Sequence, residues 1–254
     1  KLMNDMDGYF YSEKREYLED AMKRLKRLDE QLDNTKKLAE KATHLVKLRG
    51  AVAEVEGNVG EYKKLVAQTE KIIALLQEDR KSMDLAAAVF MKNCEDYLNS
   101  QNEAMKKEFA MGAGEAKLLE RLEKNIVVND IVDVGNATRI AAFKSQALRD
   151  PKIIQDALKN FDILADKFNQ LRKITHQDIN LKQIDNTEKA ANEYKKGMLG
   201  LLKNWQALQE IGTQRGQIGD KVLAASEELA KAAVTGTKSI ANDAVKTLSA
   251  SKIV

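Results

Sequence analysis

The feature that most constrains this chain is an apolar seam that runs without a gap through residues 52–97. Alternating steps of three and four residues from Val52 reach Tyr97, and Arg80 is the only charged residue on the way. Such spacing over about six heptads predicts one helix with coiled-coil-like packing. The predicted helix spans about 48–107, which corresponds to a length of about 90 Å.

A second seam with the same spacing begins after residue 178 and predicts another long helix that reaches the chain end. Between the two seams, shorter helices are predicted over about 115–148 and about 151–174. Gly112 and Gly114 indicate a turn, and Asp150 followed by Pro151 indicates a helix N-cap with proline at the first helical position. The N-terminal helix is predicted to break near residues 8–12.

Composition supports an all-α fold in which thin helices bury a narrow stripe. Hydrophobic residues make up 43% of the chain and charged residues 32%, and there is a single proline. Proline breaks helix interiors, so its near absence permits very long helices. The predicted order is short, short, long, short, short, long. We therefore expect two four-helix bundles stacked end to end, which share the two long helices and include four short ones.

Several classes of function are disfavoured by the sequence. The net charge is only +3 and basic residues alternate with acids, so a nucleic-acid partner is not expected. One cysteine, two histidines and the absence of a Glu-x-x-His pair give no basis for a metal site. We find no phosphate-binding loop and no Ser/His/Asp set, so neither a cofactor nor enzymatic activity is expected. No apolar run reaches the length of a membrane span.

Charged residues in the seams point to binding. Arg80 and Arg215 occupy seam positions, and counting residues from the turn near Gly112 puts Arg139 at the level of Arg80. Gly212 and Gly219 leave space beside Arg215. A buried arginine needs a carboxylate, which a ligand or the protein itself can supply. The predicted ligand-binding residues are Arg80, Asn136, Arg139, Thr213, Arg215 and Gln217. In the alternative interpretation, the arginines pair with the protein's own acids, such as Asp79, Asp84 or Asp133.

Aromatic and hydroxyl residues on both seams suggest a second pocket in the other bundle. Its candidate residues are Tyr62, Thr69, Tyr194 and Trp205. Aromatic side chains on a helical seam are more commonly part of the core, and this alternative stays open.

Three stretches resemble the helical bimodular sensor domains of bacterial methyl-accepting chemotaxis receptors. They are residues 208–219, residues 222–229 and residues 136–140. The resemblance implies two stacked four-helix bundles and binding of a small organic acid, with Arg139, Arg215 and Thr213 in the matching positions. Met3 and Met6 stand where binders of dicarboxylates such as malate carry arginines. This departure disfavours a dicarboxylate and leaves open a monocarboxylate, a different polar metabolite or a protein-borne ligand.

The resemblance implies that residues 1–254 form a single extracytoplasmic sensor domain. Its membrane-proximal module would comprise about 1–12, 80–147 and 206–254, and its distal module about 13–79 and 148–205. The parent protein would be an inner-membrane receptor, anchored by flanking segments, with this domain in the periplasm as a homodimer. The alternatives are the sensor of a histidine kinase and a structural or membrane-interacting rod, such as a scaffold or toxin component.

Overall fold

The computed structural model describes residues 1–41 and 46–251, and within these ranges it contains helices and no strands. The all-α prediction is confirmed. The helices are α1 (Leu2–Ser12), α2 (Arg15–Lys41), α3 (Val46–Ala110), α4 (Glu115–Leu148), α5 (Pro151–Ala157), α6 (Asn160–Lys173) and α7 (Asp178–Ser251).

The two long helices lie where the sequence predicts them, and so do the turn at Gly112 and the helix start at Pro151. The N-terminal break, predicted near residues 8–12, lies at Glu13, directly after α1 ends at Ser12. The seam helix expected over about 48–107 is α3, and the helix expected after residue 178 is α7. Gly112 adopts a left-handed backbone with φ 69°, which ends α3 as the turn signal indicates. The Asp150 side chain accepts a hydrogen bond from the Lys152 backbone N–H at 3.0 Å, which is an N-cap for α5.

One predicted helix is divided in two. The stretch predicted as a single helix over about 151–174 consists of α5 and α6, separated at residues 158 and 159. Around this point the backbone N–H groups of Lys159 and Phe161 donate to the carbonyls of Asp156 and Leu158. Each acceptor lies three residues earlier in the chain, instead of the four residues of an α-helix. Such tighter 3₁₀-type bonds interrupt the α-helical ladder.

Residues pack into two compact units. Unit 1 comprises the described residues of 1–73 and 207–254, and unit 2 comprises residues 74–206. In unit 1, α1 and α2 form a hairpin that turns at Glu13, whose φ is 57°. The ring of Tyr17 lies so close to Gly8 that a Cβ there would meet it at 2.5 Å, so glycine permits this contact.

The core of unit 1 is built from the seams of α2, α3 and α7. Leu32 packs with Val55, Val59 and Ala225, and Leu28, Val222 and Leu229 cover this cluster. Ala39, Leu48 and Val52 form a second cluster against Leu229 and its neighbours. Apolar area removed from water is the main favourable term in such a bundle.

In unit 2, α5 and α6 fold back along α4. The reversal follows Arg149, which has a left-handed φ of 54°. Ile131, Leu164, Phe168, Met198 and Leu201 are among the buried residues of this core.

This division of the chain differs from the expected modules. The sequence prediction grouped residues 13–79 with 148–205, whereas the structure places residues 13–73 with 207 onward. It also separates residues 80–147 from residue 207 onward. The reason is that the breaks at Glu13 and Arg149 are hairpin turns. The prediction treated each as a joint between two helices that continue in the same direction.

Candidate functional site

Arg215 already has a carboxylate partner within unit 1. Its side chain is 4% exposed, and its Nη2 donates to Oδ1 of Asp7 at 2.9 Å. The guanidinium carbon also lies 5.7 Å from the ring centre of Phe10, a cation–π contact. Both partners come from α1. The interpretation in which the protein supplies the acid therefore holds for Arg215, and the acid is Asp7.

The space predicted beside Arg215 is filled. A Cβ at Gly212 would meet the Phe10 ring at 2.8 Å, and one at Gly219 would meet the Met3 sulfur at 2.9 Å. The two glycines thus let α1 approach α7 closely and leave no room for a ligand at these points.

Two residues predicted for the second pocket belong instead to the surroundings of Arg215. Thr69 Oγ1 lies 3.5 Å from Arg215 Nη1, and both side chains are buried. Burial raises the pKa of Tyr62 to about 12, and the nearby Arg215 opposes that rise. The Tyr62 hydroxyl is buried without a hydrogen-bond partner in the part of the chain that the structure describes.

Thr213 and Gln217 do not share a site with Arg215. Both are exposed, and the Thr213 hydroxyl donates to the Gln209 carbonyl at 3.1 Å. Residues two apart on an α-helix are about 200° apart around its axis, so they point to opposite sides. The sequence prediction counted height along the helix and did not account for this rotation.

Arg80 and Arg139 also have separate surroundings, although both belong to unit 2. Arg80 Nε donates to Oε1 of Gln146 at 2.8 Å, two helical turns beyond Arg139 on α4. The α3–α4 pairing is therefore displaced by about two turns, or about 10 Å, from the predicted one. The turn lies at Gly112 as predicted, but Arg80 is 32 residues before it and Arg139 only 27 residues after it. The prediction treated these distances as equal, whereas a hairpin pairs residues at equal distances from its turn.

The structure places Arg139 beside a cavity inside unit 2, which we call the Arg139 cavity. Four helices line it. Its residues are Ala87, Phe90 and Met91 from α3, Gly135, Asn136, Thr138 and Arg139 from α4, Phe161 and Leu164 from α6, and Ala191 and Tyr194 from α7. The hollow measures about 370 Å³, including space that is open to solvent, and about 30 Å³ of it can be occupied by the centres of water molecules. The second volume corresponds to room for about two waters.

The guanidinium of Arg139 spans the boundary between interior and surface. Its Nε is buried and has no hydrogen-bond partner among the described residues. Its carbon lies 5.6 Å from the ring centre of Phe143, one turn further along α4 and about half exposed. An unpaired buried N–H on a permanent cation is costly, and a carboxylate is the group that best satisfies it.

Three further polar side chains, Tyr194, Thr138 and Asn136, belong to the lining of the Arg139 cavity. Burial raises the pKa of Tyr194 to about 12, against the opposing effect of Arg139, so its hydroxyl is neutral at physiological pH. Thr138 is already engaged, since its Oγ1 donates to the Val134 carbonyl and accepts from Asn160 Nδ2. Asn136 is half-buried in the lining.

The predicted site residues are thus regrouped. Asn136 and Arg139, expected in one pocket, meet Tyr194, expected in the other, and the lining of this cavity does not include Trp205. Trp205 is buried further along α7. The sequence did not predict that Phe90 lines this cavity or that Asp7 is the carboxylate partner of Arg215. The apolar spacing of Met3, Met6 and Phe10 was the signal that α1 packs along α7 with Asp7 at the edge of that stripe.

Metal sites, membrane-spanning helices and similarity to known proteins do not extend the description of the site. Within the described ranges, no group of three acidic, histidine or cysteine side chains is placed to hold a metal ion. None of the described helices combines the length and apolar character that crossing a membrane requires. Comparisons with protein families, with curated proteins and with solved structures found no match to this chain.

Proposed function

We propose that this chain is a ligand-binding sensor domain that detects a small carboxylate-bearing metabolite in the Arg139 cavity. The observation that supports the proposal most directly is the buried, unpartnered Nε of Arg139 at the edge of an aromatic-lined hollow. Concave, mostly apolar sites with a few polar groups are typical of small-molecule binding. The sequence resemblance to chemoreceptor sensor domains points to the same function.

The chemistry of the lining favours one carboxylate over two. Arg139 is the only cation in the lining of this cavity, and the remaining walls are mainly aromatic and aliphatic. A second ionised carboxylate would lose its hydration without gaining a partner, which costs several kcal/mol. A monocarboxylate would place its charged end on the guanidinium and its apolar end against the rings.

Signalling would follow from the position of the cavity between helices. A ligand that contacts α3, α4, α6 and α7 stabilises whichever packing of these helices binds it more tightly. A small displacement of α7 would carry that preference out of the domain. In the proposed architecture, two four-helix bundles share α3 and α7. The parent protein would be a membrane receptor that works as a homodimer, with this domain in the periplasm. Its signal would control either chemotaxis or the activity of an attached histidine kinase.

Isothermal titration with acetate, propionate, butyrate and their primary amides tests the proposal. We expect binding of at least one acid and none of the matching amide. Replacing Arg139 by glutamine removes a charged hydrogen-bond donor, worth about 1.5–3 kcal/mol, so affinity should fall about 10- to 150-fold.

A matched control for the charge change is Arg15→Gln, because the Arg15 side chain is 77% exposed and belongs to unit 1. This variant should bind the acids as the unmodified domain does. Equal binding of acid and amide, or full affinity in Arg139→Gln, would contradict the proposed site.

A further inference from the structure

The ring of Phe90 lies against the backbone of Gly135 in the wall of the Arg139 cavity. A Cβ built on Gly135 would lie 2.7 Å from Cε1 of Phe90 and 2.9 Å from its Cζ. Both distances are well inside van der Waals contact, so no other residue at 135 can coexist with this ring position. Phe90 is 6% exposed and cannot simply swing into solvent.

This contact determines where the aromatic ring stands relative to the cavity. Because glycine leaves the α4 backbone bare, the ring of Phe90 rests directly on it. The ring then forms part of the cavity wall, together with Phe161 and Leu164 of α6 and Ala191 and Tyr194 of α7.

We infer that Phe90, seated on Gly135, is the residue that limits the length of the ligand in the Arg139 cavity. The inference rests on the proposed function and adds a specificity determinant to it. Only about 30 Å³ of the hollow can be occupied by the centres of water-sized groups, so short acids should fit against the ring better than long ones. Each methylene group that a hydrophobic site must accept or reject changes affinity by roughly 10- to 200-fold.

Substitutions at Phe90 and at Gly135 should change acid binding in different ways. Phe90→Leu removes the outer ring atoms and should move the best-bound acid from a shorter to a longer chain by one or two methylene groups. Gly135→Ala should displace the ring and weaken every acid at least tenfold. In the double variant, leucine lacks the atoms that a new Cβ would meet, so Gly135→Ala should have little further effect.

The experiment titrates acetate, propionate, butyrate and pentanoate into the domain and its Phe90→Leu, Gly135→Ala and double variants. Phe168→Leu is the matched control, because Phe168 is a buried aromatic of the same unit that is absent from the cavity lining. It should lower the melting temperature without changing the order of affinities. Thermal melts of all variants establish that each is folded.

The outcomes separate the two proposals. If no acid binds in an Arg139-dependent manner, the proposed function fails and the inference fails with it. If acids bind through Arg139 but Phe90→Leu and the unmodified domain prefer the same chain length, only the inference is overturned. If Gly135→Ala does not fold, the comparison of Phe90→Leu with Phe168→Leu still tests whether Phe90 sets the preferred chain length.

Discussion

The pairing of Arg215 with Asp7 makes a quantitative prediction about unit 1. The arginine is almost fully buried, whereas the Asp7 side chain is 59% exposed. Two unit charges about 4 Å apart attract by about 1 kcal/mol in water and about 4 kcal/mol at an effective dielectric constant of 20. Because Asp7 is more than half exposed, screening by solvent puts the expected contribution near the lower end, at about 1–2 kcal/mol.

Asp7→Asn is the perturbation that isolates this charge. It keeps the shape of the side chain but removes the negative charge that faces the guanidinium. A loss of about 1–2 kcal/mol corresponds to a fall in melting temperature of about 2–8 °C for a chain of this size. Added salt should reduce the difference, since screening shortens the range of an exposed charge.

A double-mutant cycle tests whether the loss comes from this pair. In an Arg215→Met background the aspartate has no cation to meet, so Asp7→Asn should change stability by less than about 0.5 kcal/mol. Differential scanning calorimetry on the four proteins gives the coupling. As a control, Asp20→Asn alters an acid that is similarly exposed and pairs with the exposed Lys23, and it should leave the melting temperature unchanged.

Two results would refute this reasoning. One is an Asp7→Asn variant as stable as the unmodified domain. The other is an equal loss in both backgrounds, which would mean that Asp7 stabilises α1 by a route that does not involve Arg215.

Two further predictions concern the buried tyrosines and a helix cap. Burial raises the pKa of Tyr62 and of Tyr194 to about 12 from about 10, so the unfolded state ionises first and each tyrosine should lower the free energy of unfolding by up to about 3 kcal/mol as pH rises from 10 to 12. Burial also raises the pKa of Tyr9 and Tyr97, so absorbance titration at alkaline pH should show several late tyrosines, one of which disappears in Tyr62→Phe. An unchanged titration curve in that variant would contradict the late titration of Tyr62. Asp150→Ala removes the N-cap of α5 and should cost about 1 kcal/mol in urea unfolding, and an unchanged midpoint would show that the cap is not needed.

The sequence by itself determined the helices, because the signals that define them are local. The seam from Val52 to Tyr97 needs only the 3.6-residue period of the α-helix, and it predicted α3 to within a few residues. The Asp150–Pro151 start of α5 and the turn at Gly112 likewise depend on a few neighbouring residues.

Only the tertiary structure decided which helix faces meet and at what height. Sliding α4 along α3 by two turns would leave the local sequence pattern of each helix unchanged. In the structure Arg80 nevertheless meets Gln146, two turns away from Arg139, which the prediction had placed at its level. The hairpin at Glu13 brings Asp7 to Arg215 across more than 200 residues, and no local pattern specifies that contact. Long-range register depends on the whole set of packed side chains, which is why the arginines were found as candidates but their partners were not.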